Sequence, residues 1–560
     1  MLMDEDVVRD ESNAAIFEAA DRFSRTAVVQ GLCDDSLSRD LKLALTTLGL
    51  KEFKSPVQEA AAVAIAKDKN VVVIMPTGSG KSLTYLLPAF FKSAHVGRHA
   101  GLTVVLAPIV ALVRDAARSA GSALLDKSSA VYFDADTPSS QKNDILKRIG
   151  SCDPSLLFLF VTPTMAVRHK ELRRELNSAK IARVVIDEFH CLVEWAHFYT
   201  DMNAVYDFVR RLPGSPPTAL LSATATAALV KEVLNRLCLP DALILRAPSV
   251  RPNVHLEVVV LKSSKLSALA GAICKLIQNR CANPDHKVIV YTVTPRDCKS
   301  LATALASAGV AAIYYHGDIS GVAKQAAIEI WRHGGVKVMV ATVAFAMGFD
   351  DPRVTLVVND GVPATLAEEI QKGGRAGRNR LDECSVVTFV QPERLAHSFR
   401  VYGDNEKSRA LLCENIRTSI DASKCRQKAL GLWPSNVTST SCCATRCDVC
   451  LGLTDRHVEE IIIEDAASEL FDIMRPLQTE PGPISFSKVV FSWHCRIALR
   501  ESDMEHSAVS AVLLLLVSLG YIWYESATNS FRLAPVMHLE LLEKMYSKHG
   551  VNGAFQLVLS

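Results

Sequence analysis

Thr77, Gly78, Ser79, Gly80, Lys81 and Ser82 follow almost directly on an apolar run, Val71 to Ile74. The residue types suit phosphate. Glycines let backbone N–H groups turn inward onto oxygens, Lys81 adds a mobile positive charge, and the Ser82 hydroxyl is a magnesium ligand. Met75 stands where the strict pattern G-x-x-x-x-G-K-[ST] has its first glycine. A second acidic element, Asp187-Glu188-Phe189-His190, follows the apolar run Val184 to Ile186. Asp187 is placed to hold magnesium and Glu188 to orient and deprotonate an attacking water. A third, Ser222-Ala-Thr224-Ala-Thr226, offers hydroxyls after another apolar run. Far down the chain, Gln371-Lys-Gly-Gly-Arg375-Ala-Gly-Arg378 presents two guanidinium forks suited to a triphosphate.

These groups need elements to hold them. Thr103 to Ala107, Leu156 to Val161, Val184 to Ile186 and Thr218 to Leu221 read as strands separated by helical patterns, which predicts a parallel sheet covered on both faces. Ligands then sit beyond the carboxyl ends of its strands. Near Arg251-Pro-Asn253 the pattern restarts. Val288 to Thr292, Ala312 to Tyr315, Val336 to Ala341, Val354 to Val358 and Val386 to Val390 form a second such run, without a phosphate loop. The fold class is therefore α/β with two tandem domains. Gln58, just before an alanine-rich helix that ends near Lys69-Asn70 where the first strand begins, carries an amide able to read an adenine edge.

The chain has 560 residues, 49% of them apolar, which is too much for one core. Its 62 Lys and Arg against 60 Asp and Glu leave a net charge of +2, so any nucleic-acid contact must come from local patches. The acidic start, Met1 to Asp6, lacks the basic-then-apolar order of a signal peptide, and an intracellular protein is expected. Ser507 to Tyr524 is uncharged, but Gly520 splits it into a buried helix and a strand, so no membrane span is expected. The strand, Tyr521 to Tyr524, is expected to return after a polar turn as Phe531 to Leu533. Most of the 15 cysteines are scattered singly as small core residues, whereas Cys425, Cys442, Cys443, Cys447 and Cys450 cluster at spacings that suit a closed tetrahedral zinc site. Cys442 and Cys443 compete for the fourth position.

In order, these motifs resemble the core of a superfamily 2 helicase of RecQ type, with a DExH box, over residues 45 to about 450. Cys191-Leu-Val-Glu-Trp195-Ala-His197-Phe198 is similar to that family's aromatic-rich loop, and Ala341 to Val354, containing Gly348 and Asp350, to its motif V. The resemblance implies two RecA-like lobes that clamp ATP and magnesium between them. Lys81, Asp187, Glu188, His190, Gln371, Arg375 and Arg378 would be catalytic. Gln58, Thr77 to Ser82, Gly348 and Asp350 would bind nucleotide, with Ser82 and Asp187 on the metal. Trp195, His197 and Phe198 would meet DNA, as single strand or forked duplex, moving 3'-to-5' in the nucleus. A zinc-binding helical module and a winged helix would follow. The expected domains are a helical lead-in at 1–45, lobes at 46–250 and 251–412, the zinc module at 413–456, the winged helix at 457–545 and a helical tail at 546–560.

Departures from the family's pattern set the alternative. Lys54 stands where an arginine is usual, and Thr200 where the aromatic-rich loop has another. A DNA-binding or annealing protein whose ATPase is a switch, with weak unwinding, is the second reading; an RNA helicase is a third, opposed by the cysteine cluster and the Trp195 loop.

Overall fold

The structure is a computed structural model. It describes residues 28–451 apart from 97–100, 124–126, 197–198, 248–252, 262–264, 282, 334, 347–350, 379–381, 392–393, 395–396, 399–400, 403–405, 421–424 and 431–446. Beyond these it describes four short strands. The chain divides into two compact units, Met1–Ser249 and Val250–Ser560.

Apolar runs with β-branched residues form the first unit's seven strands: β1 Val71–Ile74, β2 Leu102–Leu106, β3 Ala130–Phe133, β4 Phe158–Val161, β5 Ile181–Asp187, β6 Thr218–Ser222 and β7 Leu243–Arg246. They lie in the order β3-β4-β2-β5-β6-β1-β7, and every pairing is parallel. Every residue of β1, β2, β4 and β6 is buried, as a sheet with helices on both faces requires. Ala60, Ala61 and Ala64 of helix Pro56–Ala66 pack against Val71, Val73, Val185 and Leu221. Strands β3 and β7 were not expected from the sequence.

The second unit's sheet contains β8 Val254–Val260, β9 Lys287–Tyr291, β10 Ala312–Tyr315, β11 Val338–Ala341, β12 Val354–Asp360 and β13 Cys384–Val390, in the order β10-β11-β9-β12-β13-β8. Alternate residues enter different cores. Val288 and Val290 join Leu301 and Leu305 on one face; Ile289 and Tyr291 join Trp331 and Phe345 on the other. Edge strand β8 was also not expected.

Several helices begin with a threonine cap in the connection that follows a strand. Thr162, Thr226, Thr294 and Thr365 accept from the backbone N–H three residues on, at 3.5, 3.3, 3.2 and 3.0 Å. Past residue 451 the structure shows β14 Val458–Ile462 paired antiparallel with β17 Ala554–Val558, and β15 Ile522–Glu525 with β16 Ser530–Leu533. The second pair matches the strand, turn and strand read around Ser526 to Ser530. The first corrects two expectations: 458–462 and 554–558 are strands where helical segments were read, their β-branched and aromatic residues being satisfied by pairing with each other. The helix expected before Gly520, and with it the winged helix, lies outside the described residues. No described helix is long and apolar enough to cross a membrane.

One buried cation ties the phosphate strand's helix to the sheet. Arg183 on β5 is 4% exposed and donates to Ile65 O and Lys69 O, both at 2.9 Å. Burial pushes its guanidinium down to about 10, opposed by Asp68. Asp68 N–H also reaches Ile65 O, so removing the arginine strips Lys69 O in particular. Arg183→Met is expected to lower stability by about 2 kcal/mol in urea unfolding; an unchanged midpoint would show that the pin is dispensable.

Candidate functional site

Strand register assembles the first group of site residues. Ile74 pairs with Ser222 and Asp187 with Leu221, and the connections continue past the strands: Met75 N–H donates to Ser222 O at 3.1 Å and Phe189 N–H to Leu221 O at 3.1 Å. The phosphate-type loop, the acidic pair and the hydroxyl segment thus emerge side by side from β1, β5 and β6.

The loop depends on its glycines. Gly78 and Gly80 have φ of +76° and +85°. A Cβ on Gly80 would stand 2.5 Å from Gln58 Nε2. Lys81 Nζ lies 3.2 Å from Met75 O, curled over the loop it serves. Thr84 Oγ1 donates to Lys81 O at 2.6 Å, and the helix begins at Leu83. Ser79 is bonded within the loop, its Oγ on Pro76 O at 2.5 Å.

Gln58 is fully buried. Its Nε2 donates to Gly80 O at 2.9 Å and its Oε1 accepts from Lys54 N–H at 2.6 Å. Lys54 Nζ reaches Gly78 O at 3.3 Å. Gln58, singled out for an adenine edge, and Lys54 near it are therefore set against the phosphate loop itself, a link invisible in the sequence because it depends on tertiary approach.

Desolvation pushes the Asp187 carboxyl up, Glu188 adds to this, and Lys81 opposes it. A divalent cation beside Asp187 would hold it ionised despite burial, so the donor set fits magnesium. Glu188 has φ +50°, in the left-handed region a non-glycine residue seldom adopts. Its Oε2 is buried without a hydrogen-bond partner, 3.4 Å from His190 Nδ1. That oxygen has room in its bonding for a water. His190, 1% exposed, shares a 2.9 Å hydrogen bond between Nδ1 and Ser222 Oγ, which in turn accepts from Thr224 N–H at 3.1 Å. The acidic and hydroxyl motifs are one network.

In the aromatic-rich loop Trp195 is half-buried and its backbone N–H donates to Cys191 O at 3.1 Å. His197 and Phe198 lie outside the described residues. The altered end of the loop is anchored: Tyr199 Oη and Thr164 Oγ1 are 2.8 Å apart, and Arg168 Nε bonds Asp201 at 2.8 Å.

In the second unit, helix Leu366–Gly373 carries Gln371 and runs straight into Arg375, whose N–H donates to Lys372 O at 3.1 Å. Arg375 is 7% exposed, its guanidinium bonded to Ala346 O, within the Ala341 to Val354 segment that contains Gly348 and Asp350. Those two residues themselves lie outside the described set. Arg378 Nε is 3.4 Å from Gly374 O. Tyr291 stands beneath, its hydroxyl pushed up to about 12 by burial against the opposing charges of both arginines. Gly377, φ +69°, has no room for a Cβ: Val254 Cγ2 and Asn253 Nδ2 would be 2.7 and 2.8 Å away.

Cys425, Cys447 and Cys450 bring their sulfurs within 4.8 Å of one another. A tetrahedral zinc with bonds of about 2.3 Å needs sulfurs about 3.8 Å apart, so the three fit. Cys442 and Cys443, the competitors for the fourth place, are outside the described residues.

Two family descriptions match: DEAD/DEAH box helicase over residues 55–233 and helicase conserved C-terminal domain over residues 268–380. Together with the two parallel sheets they define a helicase core. Among its relatives, the putative ATP-dependent DNA helicase Q1 of Caenorhabditis briggsae is 30% identical over 406 residues, 72% of this chain and 63% of that protein. The ATP-dependent DNA helicase Q1 of Mus musculus is 26% identical over 499 residues, 86% and 74%. The ATP-dependent helicase SGS1 of Saccharomyces cerevisiae is 27% identical over 454 residues, 78% and 30%. The chain belongs to the RecQ-type family of superfamily 2 helicases. It spans about 63% of the length of the first of these relatives. Among solved structures, Mss116p bound to ssRNA and AMP-PNP gives a TM-score of 0.53 at 16% identity, covering 94% of each chain. S. cerevisiae Dbp5 bound to RNA and ADP BeF3 gives 0.52 at 20%, covering 66% of this chain and 92% of that one. At these identities the likeness is one of fold.

Two substitutions test the assignments. Glu188→Gln is expected to retain binding of an ATP analogue while turnover falls by about 100-fold or more; full activity would remove Glu188 as the base. Cys447→Ser is expected to lose bound zinc and to melt at lower temperature, because metal binding and folding are coupled; unchanged zinc content would remove the site.

Proposed function

We propose that this chain is an ATP-dependent DNA helicase that moves 3'-to-5' on single-stranded DNA and separates duplex DNA at a fork. The observation that carries the reading is the convergence of Lys81 and Ser82, Asp187 and Glu188, and Ser222 on adjacent ends of β1, β5 and β6. A phosphate loop beside two carboxylates is the chemistry of nucleoside triphosphate hydrolysis.

Lys81 and the loop amides of Thr77 to Ser82 hold the phosphates, and Gln58 braces that loop through Gly80 O. Magnesium, which Ser82 and Asp187 would hold, would supply positive charge that offsets the negative charge developing on the phosphates. Glu188 orients the water and takes its proton, while His190 keeps Glu188 and Ser222 in one arrangement. The roles assigned to the second unit are stabilisation of charge on the transferring phosphoryl group by Gln371, Arg375 and Arg378, and nucleotide contact by Gly348 and Asp350. Trp195, His197 and Phe198 stack on or border the bases, each stacked base worth about 1–3 kcal/mol. Loss of the γ-phosphate removes what the loop and the arginines grip, which drives the step along the strand. Zinc at Cys425, Cys447, Cys450 and one of Cys442 and Cys443 would hold the module that follows. The family names of the relatives support a nuclear location.

A fork-unwinding assay compares wild type with Lys81→Ala. Wild type is expected to hydrolyse ATP faster with DNA present and to release the strand, and Lys81→Ala to do neither. ATP hydrolysis with DNA binding but no released strand would instead support the annealing reading. Absence of DNA-stimulated hydrolysis in wild type would sink the helicase reading.

A further inference from the structure

Two motifs of the second unit, the arginine turn and the cysteine site, are built onto the same strand. At the start of β8, Asn253 Nδ2 donates to Gly377 O at 3.2 Å, and Val254 is the side chain that leaves Gly377 no room for a Cβ. Two residues further along, Leu256 O accepts from Asp448 N–H at 3.0 Å and bridges to Cys447; then Val258 N–H donates to Asp448 Oδ2 at 3.1 Å. Gln427 joins the two regions, its Nε2 donating to Val254 O at 3.3 Å.

Buried ions complete the connection. Arg426, adjacent to Cys425, forks onto Asp448, adjacent to Cys447, through Nε–Oδ1 at 3.0 Å and Nη2–Oδ2 at 3.2 Å. The two residues are 5% and 3% exposed. Arg426 Nη1 donates onward to Ser419 O at 2.6 Å, on helix Glu406–Ile420. The same helix offers Asn415, fully buried, whose Nδ2 holds Pro363 O at 2.9 Å just before helix Leu366–Gly373. Glu369, on that helix and 8% exposed, faces Asn415, Arg426, Lys372 and Ser419. Burial pushes its carboxyl up to about 7 against the pull of those neighbours.

Burying an arginine with two carboxylates is a poor way to gain stability, because desolvation consumes most of the attraction; what the arrangement secures is a single geometry. Here that geometry ends at Arg375, which continues directly from the helix bearing Glu369.

We propose that Glu369, Arg426 and Asp448 are positioning residues for the arginine turn, fixing Arg375 and Arg378 at the orientation ATP hydrolysis requires by tying their helix to β8 and the cysteine site. The inference rests on the ATPase reading above. Its consequence is that the cysteine site does more than close its own loop: it anchors one end of a rigid frame whose other end bears the arginines.

The test uses the full chain as wild type, Glu369→Gln, Arg426→Lys, Arg375→Ala and the Glu369→Gln/Arg375→Ala double variant. ATP turnover is measured as kcat and KM, beside affinity for a non-hydrolysable ATP analogue, melting temperature and bound zinc. Glu369→Gln is expected to lower kcat about fivefold to tenfold at unchanged KM, with analogue affinity and zinc content retained, and to cause no further loss in the Arg375→Ala background. Arg426→Lys, which keeps the charge but not the fork, is expected to lower kcat in the same way. Wild-type kcat in both single variants, a loss that adds to that of Arg375→Ala, or a loss that merely follows a fall in melting temperature and zinc content would overturn the positioning role. If wild type hydrolyses ATP and Lys81→Ala does not, such a result leaves the ATPase reading standing; if wild type hydrolyses none, that reading falls and the positioning role with it.

Discussion

In-register pairing of β5, β6 and β1 is what turns three separated motifs into one site. Because all three strands run in parallel, their carboxyl ends share an edge, and the pairs Asp187 with Leu221 and Ile74 with Ser222 bring each motif out at one level. A slip of one residue would reverse the alternation of every side chain on the slipped strand and draw Asp187 away from the loop that carries Lys81. The apolar burial of these strands on both faces opposes any such slip, since each residue of β1 and β6 is already committed to a core. Chemistry at the edge is thus paid for by packing in the middle.

The second unit solves a different problem with the same sheet. Its sequence has no phosphate loop, and its charged turn must be stiff beyond what the helix end at Gly374 supplies. The stiffness comes from close approach: Gly377 sits where any side chain would meet Val254, and Asn253 holds both Gly377 O and Asp382 O, at 3.2 and 3.0 Å. A flexible arginine loses side-chain freedom on meeting a phosphate, and a backbone fixed in advance reduces what remains to be ordered.

Legibility in the sequence followed the source of each residue's constraint. The loop at Thr77 to Ser82 and the Asp187-Glu188 pair were readable because an apolar run and a chemical signature adjoin, so local pattern and role coincide. Strands β3, β7 and β8 were not. Val-His-Leu-Glu-Val-Val-Val in β8 mixes polar residues into an edge strand, where one side lacks a sheet neighbour and the periodicity weakens. The strands at 458–462 and 554–558 were missed for a related reason: each is stabilised by the other across nearly a hundred residues of sequence, and no local signal records a partner that distant. The Arg426 to Asp448 fork lies in the same category, since an arginine after a cysteine carries no mark of the carboxylate it will meet.

The loop that departs from its family shows how a lost residue need not leave a loose end. Thr200 carries no charge, yet its neighbours on both sides are bound to one helix, Pro163–Arg168: Tyr199 through Thr164 and Asp201 through Arg168. That helix starts at the carboxyl end of β4, on the same sheet as the phosphate loop, so the aromatic segment after His190 is held at both ends, by the Ser222 network before it and by these two bonds after it. Arg168 keeps a guanidinium near the position where the family's arginine is absent, with 64% of its side chain exposed. The carboxylate end of this pair is buried, with 11% of the Asp201 side chain exposed, so the bond fixes where the Arg168 guanidinium stands.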